Sequence, residues 1–153
     1  MKIIKKKKEK KRLGRSDKLD LPELGLYDID SKIDTGAYSC SIHCSNIEVI
    51  EKDREACLHF ILLDPSHPAY NNKSFFFRDF KEKMVKNSFG QAEKRFVIRT
   101  PVKIYNKIYN SEFSLSNRGN LRFPILLGRK LLKKGFLVDV SKIDLSYKKK
   151  LDL

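Results

Sequence analysis

The sequence predicts a mostly β domain, a small closed barrel with one short helix near its C-terminal end. Three observations carry this reading. Along residues 27–33 the apolar Tyr27, Ile29 and Ile33 alternate with Asp28, Asp30 and Lys32, a period of two that fits a half-buried strand. About seven or eight such segments follow one another between turn residues, with no sustained helical period. The exception is Arg129-Lys130-Leu131-Leu132-Lys133-Lys134, set between Gly128 and Gly135. That stretch reads as about one and a half helical turns with cations in the last turn and a glycine stop.

Size and composition agree. A chain of 153 residues suits one domain. The 41% hydrophobic content is too high for a disordered chain, while 34% charged residues and no Trp imply a thin core under a solvated exterior. The net charge of +14 is uneven: residues 1–18 hold ten Lys or Arg against Glu9 and Asp17, which is +8 of it. A block of like charges repels itself, so residues 1–18 read as a disordered basic arm, able to touch nucleic-acid phosphates weakly and without sequence preference. Residues 19–145 form the domain, and 146–153 a basic tail. No apolar run reaches the roughly 18 to 20 residues that span a bilayer. The charged start lacks the apolar stretch of a signal peptide. With Cys40, Cys44 and Cys57 an odd set in a chain that needs no staples, a reducing, cytoplasmic setting and no membrane partner are expected.

In chain order, residues 19–26 read as a short strand entering a Pro22-Glu23-Leu24-Gly25 turn, and residues 27–33 run straight into Asp34. Residues 46–51 alternate imperfectly, and 56–63 are a second apolar strand that Pro65, His67 and Pro68 end. Residues 73–85 are ambiguous: Phe75, Phe76, Phe77 and Phe80 favour extended structure, but Lys81-Glu82-Lys83 suits either form. Residues 87–91 signal a turn in which Gly90 is free to take positive φ. Strands over 95–100 and 102–115 are separated by Pro101, and a further turn falls near 105–107. Leu126-Leu127-Gly128 leads into the helix, and 136–140 resume as a strand.

Two segments carry chemistry together and little apart. In Ile33-Asp34-Thr35-Gly36-Ala37 a carboxylate sits at a strand end, beside a hydroxyl that can orient it and a glycine that admits close backbone approach. By itself such an aspartate is more often an ordinary turn former. The second segment, Pro124-Ile125-Leu126-Leu127-Gly128-Arg129, is a buried strand ending in a glycine and entering a helix. The Asp-Thr-Gly loop occurs once, and the chain has no internal repeat. Neither His-Glu-x-x-His nor Gly-x-x-x-x-Gly-Lys-Ser/Thr is present, so no metal and no cofactor are expected. Cys40, His43, Cys44 and His59 could in principle gather around a metal. The preferred reading makes His43 a buried hydrogen-bonding residue and the cysteines small core residues.

The sequence resembles the retropepsin-like aspartic proteases, and within them the bacterial family known as ATP-dependent zinc proteases. The matching residues are Leu21-Pro22-Glu23-Leu24-Gly25, Lys32 to Ala37 with Ser41-Ile42-His43, Arg95 to Thr100, Ser116-Asn117-Arg118, Pro124 to Arg129 and Phe136-Leu137-Val138-Asp139, over about residues 20 to 140. The resemblance implies an acid-protease barrel and an aspartic-type endopeptidase acting on a peptide or protein. Asp34, Thr35 and Gly36 would be catalytic. Two Asp34 carboxylates would share one proton across a homodimer, since like charges this close cannot both ionise. Thr35 would tie the two loops together, and Ala37, Phe89, Gly90 and Arg129 would contact substrate, with the hairpin at Phe89-Gly90 as a flap. Retroviral relatives place an acid where this chain has Tyr38, so Arg129 lacks that partner. The family's association with ATP-grasp ligases that add amino acids to proteins implies a ligase as functional partner. Two alternatives stand beside the peptidase: a non-catalytic dimeric binding module, and an RNA- or ribosome-associated protein using the basic arm.

Overall fold

The computed structural model describes residues 9–86, 89–117 and 122–152. Its strands are β1 (Lys11–Leu13), β2 (Ser16–Leu21), β3 (Leu26–Ile33), β4 (Cys40–Lys52), β5 (Glu55–Leu62), β6 (Ser74–Phe77), β7 (Lys81–Lys86), β8 (Ala92–Ile104), β9 (Lys107–Ser116), β10 (Ile125–Leu127) and β11 (Phe136–Val138). Two helices, α1 (Arg129–Leu132) and α2 (Leu145–Leu151), complete the described elements. Among the described residues no helix is long and apolar enough to cross a membrane.

The mostly β prediction holds, and the expected short helix is α1, with α2 a second one in the stretch read as a tail. Strands β10, β3, β2, β8, β9 and β4 neighbour one another in that order, and β10 also pairs with β4, so this sheet closes into a ring. β5 and β6 extend it beyond β4, and β7 pairs with the outer part of β8. Apolar side chains from the ring strands, including Leu19, Ile29, Ile33, Ile42, Ile98, Phe113, Ile125 and Leu127, fill its interior, with Leu131 of α1 packed among them.

Local chemistry explains where the expected elements shift. In β3, Leu26, Ile29, Ser31 and Ile33 are buried and Tyr27 is 59% exposed. The alternation slips because Asp28 takes φ 53°, its N–H donating to Asp20 Oδ1 (2.8 Å), at an irregularity in the β2–β3 register. β8 runs through Pro101 without a break. Pro101 lies opposite Asn110 of β9, and on its other side β2 meets β8 only at Lys103, so no ladder donor is missing. The β4–β5 connection is a two-residue turn at Asp53 and Arg54, both at positive φ, which matches the twist of the flanking strands. The ambiguous 73–85 stretch resolves into β6 and β7.

Both basic ends are partly built into the fold. Residues 11–18, placed in the arm by their charge, form β1 and the start of β2, with β1 pairing in parallel with β11. The tail contains α2. Asp17, buried under it, accepts the N–H groups of Ser146 (2.9 Å) and Tyr147 (3.1 Å), donors that a helix start leaves without internal partners.

Candidate functional site

The two segments singled out in the sequence meet. β10 lies parallel to β3, with Leu127 opposite Ile33, and antiparallel to β4, with Leu126 opposite Ser41. It is therefore inserted between the strand that enters the Asp34 loop and the strand that leaves it. The Asp34 N–H donates to the Leu127 carbonyl (2.9 Å), the Arg129 N–H to Ala37 (2.8 Å) and the Lys130 N–H to Tyr38 (2.9 Å). Within the loop, Asp34 Oδ1 accepts the Gly36 N–H at 3.0 Å. Asp34 is half-buried, and Thr35 and Gly36 are exposed.

Gly128 makes this clasp possible. A Cβ placed on it would sit 2.5 Å from the Ser39 carbonyl oxygen and 2.7 Å from the Tyr38 carbonyl carbon, so only a residue without a side chain lets the two backbones approach. Its N–H points at Cys40 Sγ, 3.4 Å away. Arg129, left without an acid partner by Tyr38, finds two others: Nη1 donates to the Thr35 carbonyl (3.0 Å), and the guanidinium lies 5.9 Å from the centre of the Tyr38 ring. Lys133 adds a second cation 5.5 Å from that ring.

Beside the loop lies a groove of about 350 Å³. Cys40, Ser41, Ser111 and Ser114 line it from β4 and β9, Lys83, Val85 and Lys86 from β7, Arg95 and Val97 from β8, and Ala37, Tyr38 and Lys130 from the Asp34 side. Of the five charged residues lining it, four are cationic. The exception, Glu112, is a hub: its carboxylate meets Lys81 and Lys83 at 3.2 Å, Lys130 at 3.6 Å and Arg99 at 3.8 Å. The hydrogen bonds from Lys81 and Lys83 hold its pKa down at about 2. The sequence reading missed Glu112. Its signal lies in the β8–β9 register, which puts Arg99 directly opposite, and register is not visible before the strands are paired.

The remaining predicted residues fall outside this clasp. Phe89 is 89% exposed and Gly90 has φ 76°, in the turn between β7 and β8. Neither lines the groove, although β7 itself does; the first half of that predicted turn, residues 87 and 88, lies outside the described residues. His43 is buried, its Nε2 2.5 Å from Asp64 Oδ2 and its Nδ1 3.3 Å from the Ser116 carbonyl. His59 instead meets Glu48 (3.2 Å) and Ser74 (2.9 Å). Cys40, Cys44 and Cys57 are buried thiols, and burial pushes those of Cys40 and Cys44 above the ordinary range. Among the described residues no three His, Cys, Asp or Glu side chains are grouped to hold a metal ion.

A ring of strands with an Asp-Thr-Gly loop clasped by a Leu-Leu-Gly strand and a short helix defines a retropepsin-like β domain. The model of the family described as RimB-like, retropepsin-like aspartic endopeptidase RimB, matches residues 12–149, and the chain belongs to that family. The match supports the retropepsin-like resemblance, but not specifically the zinc-protease name. A crystal structure of a Legionella pneumophila protein of unknown function superposes with a TM-score of 0.66 at 27% identity, covering 89% of this chain and 98% of that one. Among curated relatives, a protein of Desulfotalea psychrophila is 35% identical over 134 residues, and one of Shewanella pealeana 30% over 133. Each is named a probable alpha-L-glutamate ligase. The matched segments are 85% and 84% of this chain but 28% of each relative, so the chain spans little more than a quarter of their length.

These relatives correct the expected activity. An aspartic-type peptidase, hydrolysing through an Asp34 dyad across a homodimer, was expected, and the family name contains the word endopeptidase. The curated relatives instead bear the name of a ligase, an enzyme that joins rather than cleaves.

Proposed function

We propose that this chain serves a glutamate-ligase reaction by holding an acidic polypeptide in the groove beside the Asp34 loop, with the ligase as its protein partner. One observation carries the reading: Lys83 and Lys130 of the groove, with Lys81 and Arg99 beyond its lining, surround a single carboxylate, that of Glu112. Four cations on one acid leave a net positive wall, which attracts a glutamate-rich chain and repels a basic one. Lys86 and Arg95 extend the wall, and Ala37 and Tyr38 border it. Arg129 holds the Thr35 turn in place. The ligase names of the relatives supply the substrate class. The exposed Thr35-Gly36 turn, with Tyr38 52% exposed beside it, offers a face to a second copy of the chain, so a homodimer is part of the proposal.

The test is calorimetric titration of the full chain at low ionic strength with a ten-residue glutamate peptide and its glutamine counterpart. The glutamate peptide is expected to bind and the glutamine peptide not. Lys83→Gln combined with Lys130→Gln removes two contacts worth roughly 0.5 to 1 kcal/mol each, so Kd should rise about tenfold. Equal binding of the two peptides, or an unchanged Kd in the double variant, would overturn the reading.

A further inference from the structure

Glu112 stands on the partition between two cavities. It lines the groove beside the Asp34 loop and also a smaller recess of about 60 Å³, whose other walls include Asp79, Lys81 and Arg99. Its two carboxylate oxygens divide accordingly. Oε1 accepts from Lys81 of β7 at 3.2 Å and lies 3.8 Å from Arg99 of β8, both residues of the recess. Oε2 accepts from Lys83 of β7 at 3.2 Å and lies 3.6 Å from Lys130 of α1, both residues of the groove. The four cations therefore form two pairs, one on each oxygen.

The two pairs differ in what else can reach them. An acid entering the recess would meet Asp79 as well as Glu112. In the groove Glu112 is the one acid among the described lining residues, and Lys86 and Arg95 continue the positive wall. Exposure separates acceptor from donors too. The Glu112 side chain is 13% exposed, whereas those of Lys83 and Lys130 are 44% and 47% exposed. The carboxylate is sunk and cannot follow a ligand, but each ammonium reaches water and swings on a flexible four-carbon stem. Lys83 and Lys130 also come from different walls, β7 and the Asp34 side, so that while both sit on Oε2 they tie those walls together.

A carboxylate arriving in the groove thus finds its two nearest lysines already taken. We propose, resting on the reading of the groove as a site for an acidic polypeptide, that Glu112 is a resident competitor: a glutamate side chain of the bound chain displaces Glu112 Oε2 from Lys83 and Lys130, while Lys81 and Arg99 keep Oε1 in place. In this exchange two ammonium groups trade one carboxylate for another, and no charge leaves the protein. The two acids then lie close together, so the ligand also feels Glu112 as a like charge. The hydrogen bonds from Lys81 and Lys83 that hold the Glu112 carboxyl down at about 2 keep it ionised wherever the ligand's own carboxylates are ionised, so the competition is always present. Glu112 accordingly weakens every acidic ligand of the groove and leaves uncharged ones unaffected.

Calorimetric titration of the full chain with the ten-residue glutamate peptide tests this through Glu112→Gln, which keeps the side-chain shape and removes its charge. The variant is expected to bind the peptide about fivefold more tightly than the parent, the size of one or two screened ion pairs. The gain should depend on the two lysines. In a chain already carrying Lys83→Gln and Lys130→Gln, adding Glu112→Gln should change Kd by less than about twofold. The glutamine peptide should remain without binding throughout. In the unsubstituted chain, NMR of the lysine ammonium groups gives an independent reading: saturation with the glutamate peptide should move the signals of Lys83 and Lys130 and leave that of Lys81 in place. Equal or weaker binding by Glu112→Gln would overturn the proposal and make Glu112 a scaffold for the lysines, with the acidic-peptide reading intact. A fivefold gain that persists without Lys83 and Lys130 would also defeat it, since the effect would then be one of overall charge. A Lys81 signal that moves as far as the other two would count against it in the same way. Failure of both the parent and Glu112→Gln to bind the glutamate peptide would remove the acidic-peptide reading itself, and this proposal with it.

Discussion

Replacing Gly128 by alanine should be among the most damaging single-methyl additions available to this fold. The added Cβ would stand 2.5 Å from the Ser39 carbonyl oxygen, where ordinary contact begins at 3.4 Å, so one backbone must retreat by about 0.9 Å. Neither side moves freely. The Arg129 and Lys130 N–H groups bond to Ala37 and Tyr38 on the opposing loop, and Asp34 bonds to Leu127 on the same strand. Overpacking of this kind costs about 1 to 3 kcal/mol. Stretching two of the hydrogen bonds past useful length adds about 1 kcal/mol each. A loss of about 3 to 5 kcal/mol is therefore expected. Urea unfolding followed by circular dichroism would read it as a fall in the midpoint at unchanged slope. A loss below about 1 kcal/mol would refute the reasoning, because it would mean that the Asp34 loop and β10 separate without cost.

Two further predictions concern charge. Asp17→Ala strips the acceptor from the Ser146 and Tyr147 N–H groups, so about 2 kcal/mol should be lost, and amide exchange should accelerate selectively in residues 145–151. Burial raises the Asp17 carboxyl above the usual aspartate range, against the opposing backbone hydrogen bonds. Its favourable contribution is thus complete below the unfolded pKa and declines as pH rises through the folded one. Glu112 behaves in the opposite sense. With its pKa moved from 4.5 to about 2, it stabilises the fold above about pH 5, and that contribution disappears as pH falls toward 2. Discounted for screening at a surface cluster, the effect is about 1 kcal/mol. It should appear as a difference between the acid-unfolding curves of the parent and Glu112→Gln that shrinks in high salt; coincident curves at low salt would sink it.

The site's frame was legible because it depends on local signals. A period-two strand ending in Asp34, a Leu-Leu-Gly strand and a glycine-bounded helix are each visible within a few residues, and β10 brings them together as read. What was not legible depends on pairing. Tyr27 points outward because Asp28 kinks the chain toward Asp20, eight residues earlier. Glu112 gains its role only once β9 lies against β8, with Lys81 and Lys83 of β7 beside them. α2 is too short to be stable alone and owes its place to Asp17, more than a hundred residues away in sequence. Charge counting misplaced residues 11–18 for a similar reason. Leu13, Asp17 and their neighbours are held by strand partners, and a charge tally does not register hydrogen-bonded ladders.

The position of β10 also has a kinetic side. It is the last ring strand to leave the ribosome, and both of its neighbours, β3 and β4, are translated roughly ninety residues earlier. Until it arrives, the two edges flanking the Asp34 loop have no partner between them, and a nascent or truncated chain exposes strand edges that can recruit other polypeptides. Closing so long a loop is slow relative to making the hairpins. The Asp34 loop is therefore the last part of the ring to acquire its shape, and agents that trap incomplete β-sheets should act on this protein during synthesis rather than after it.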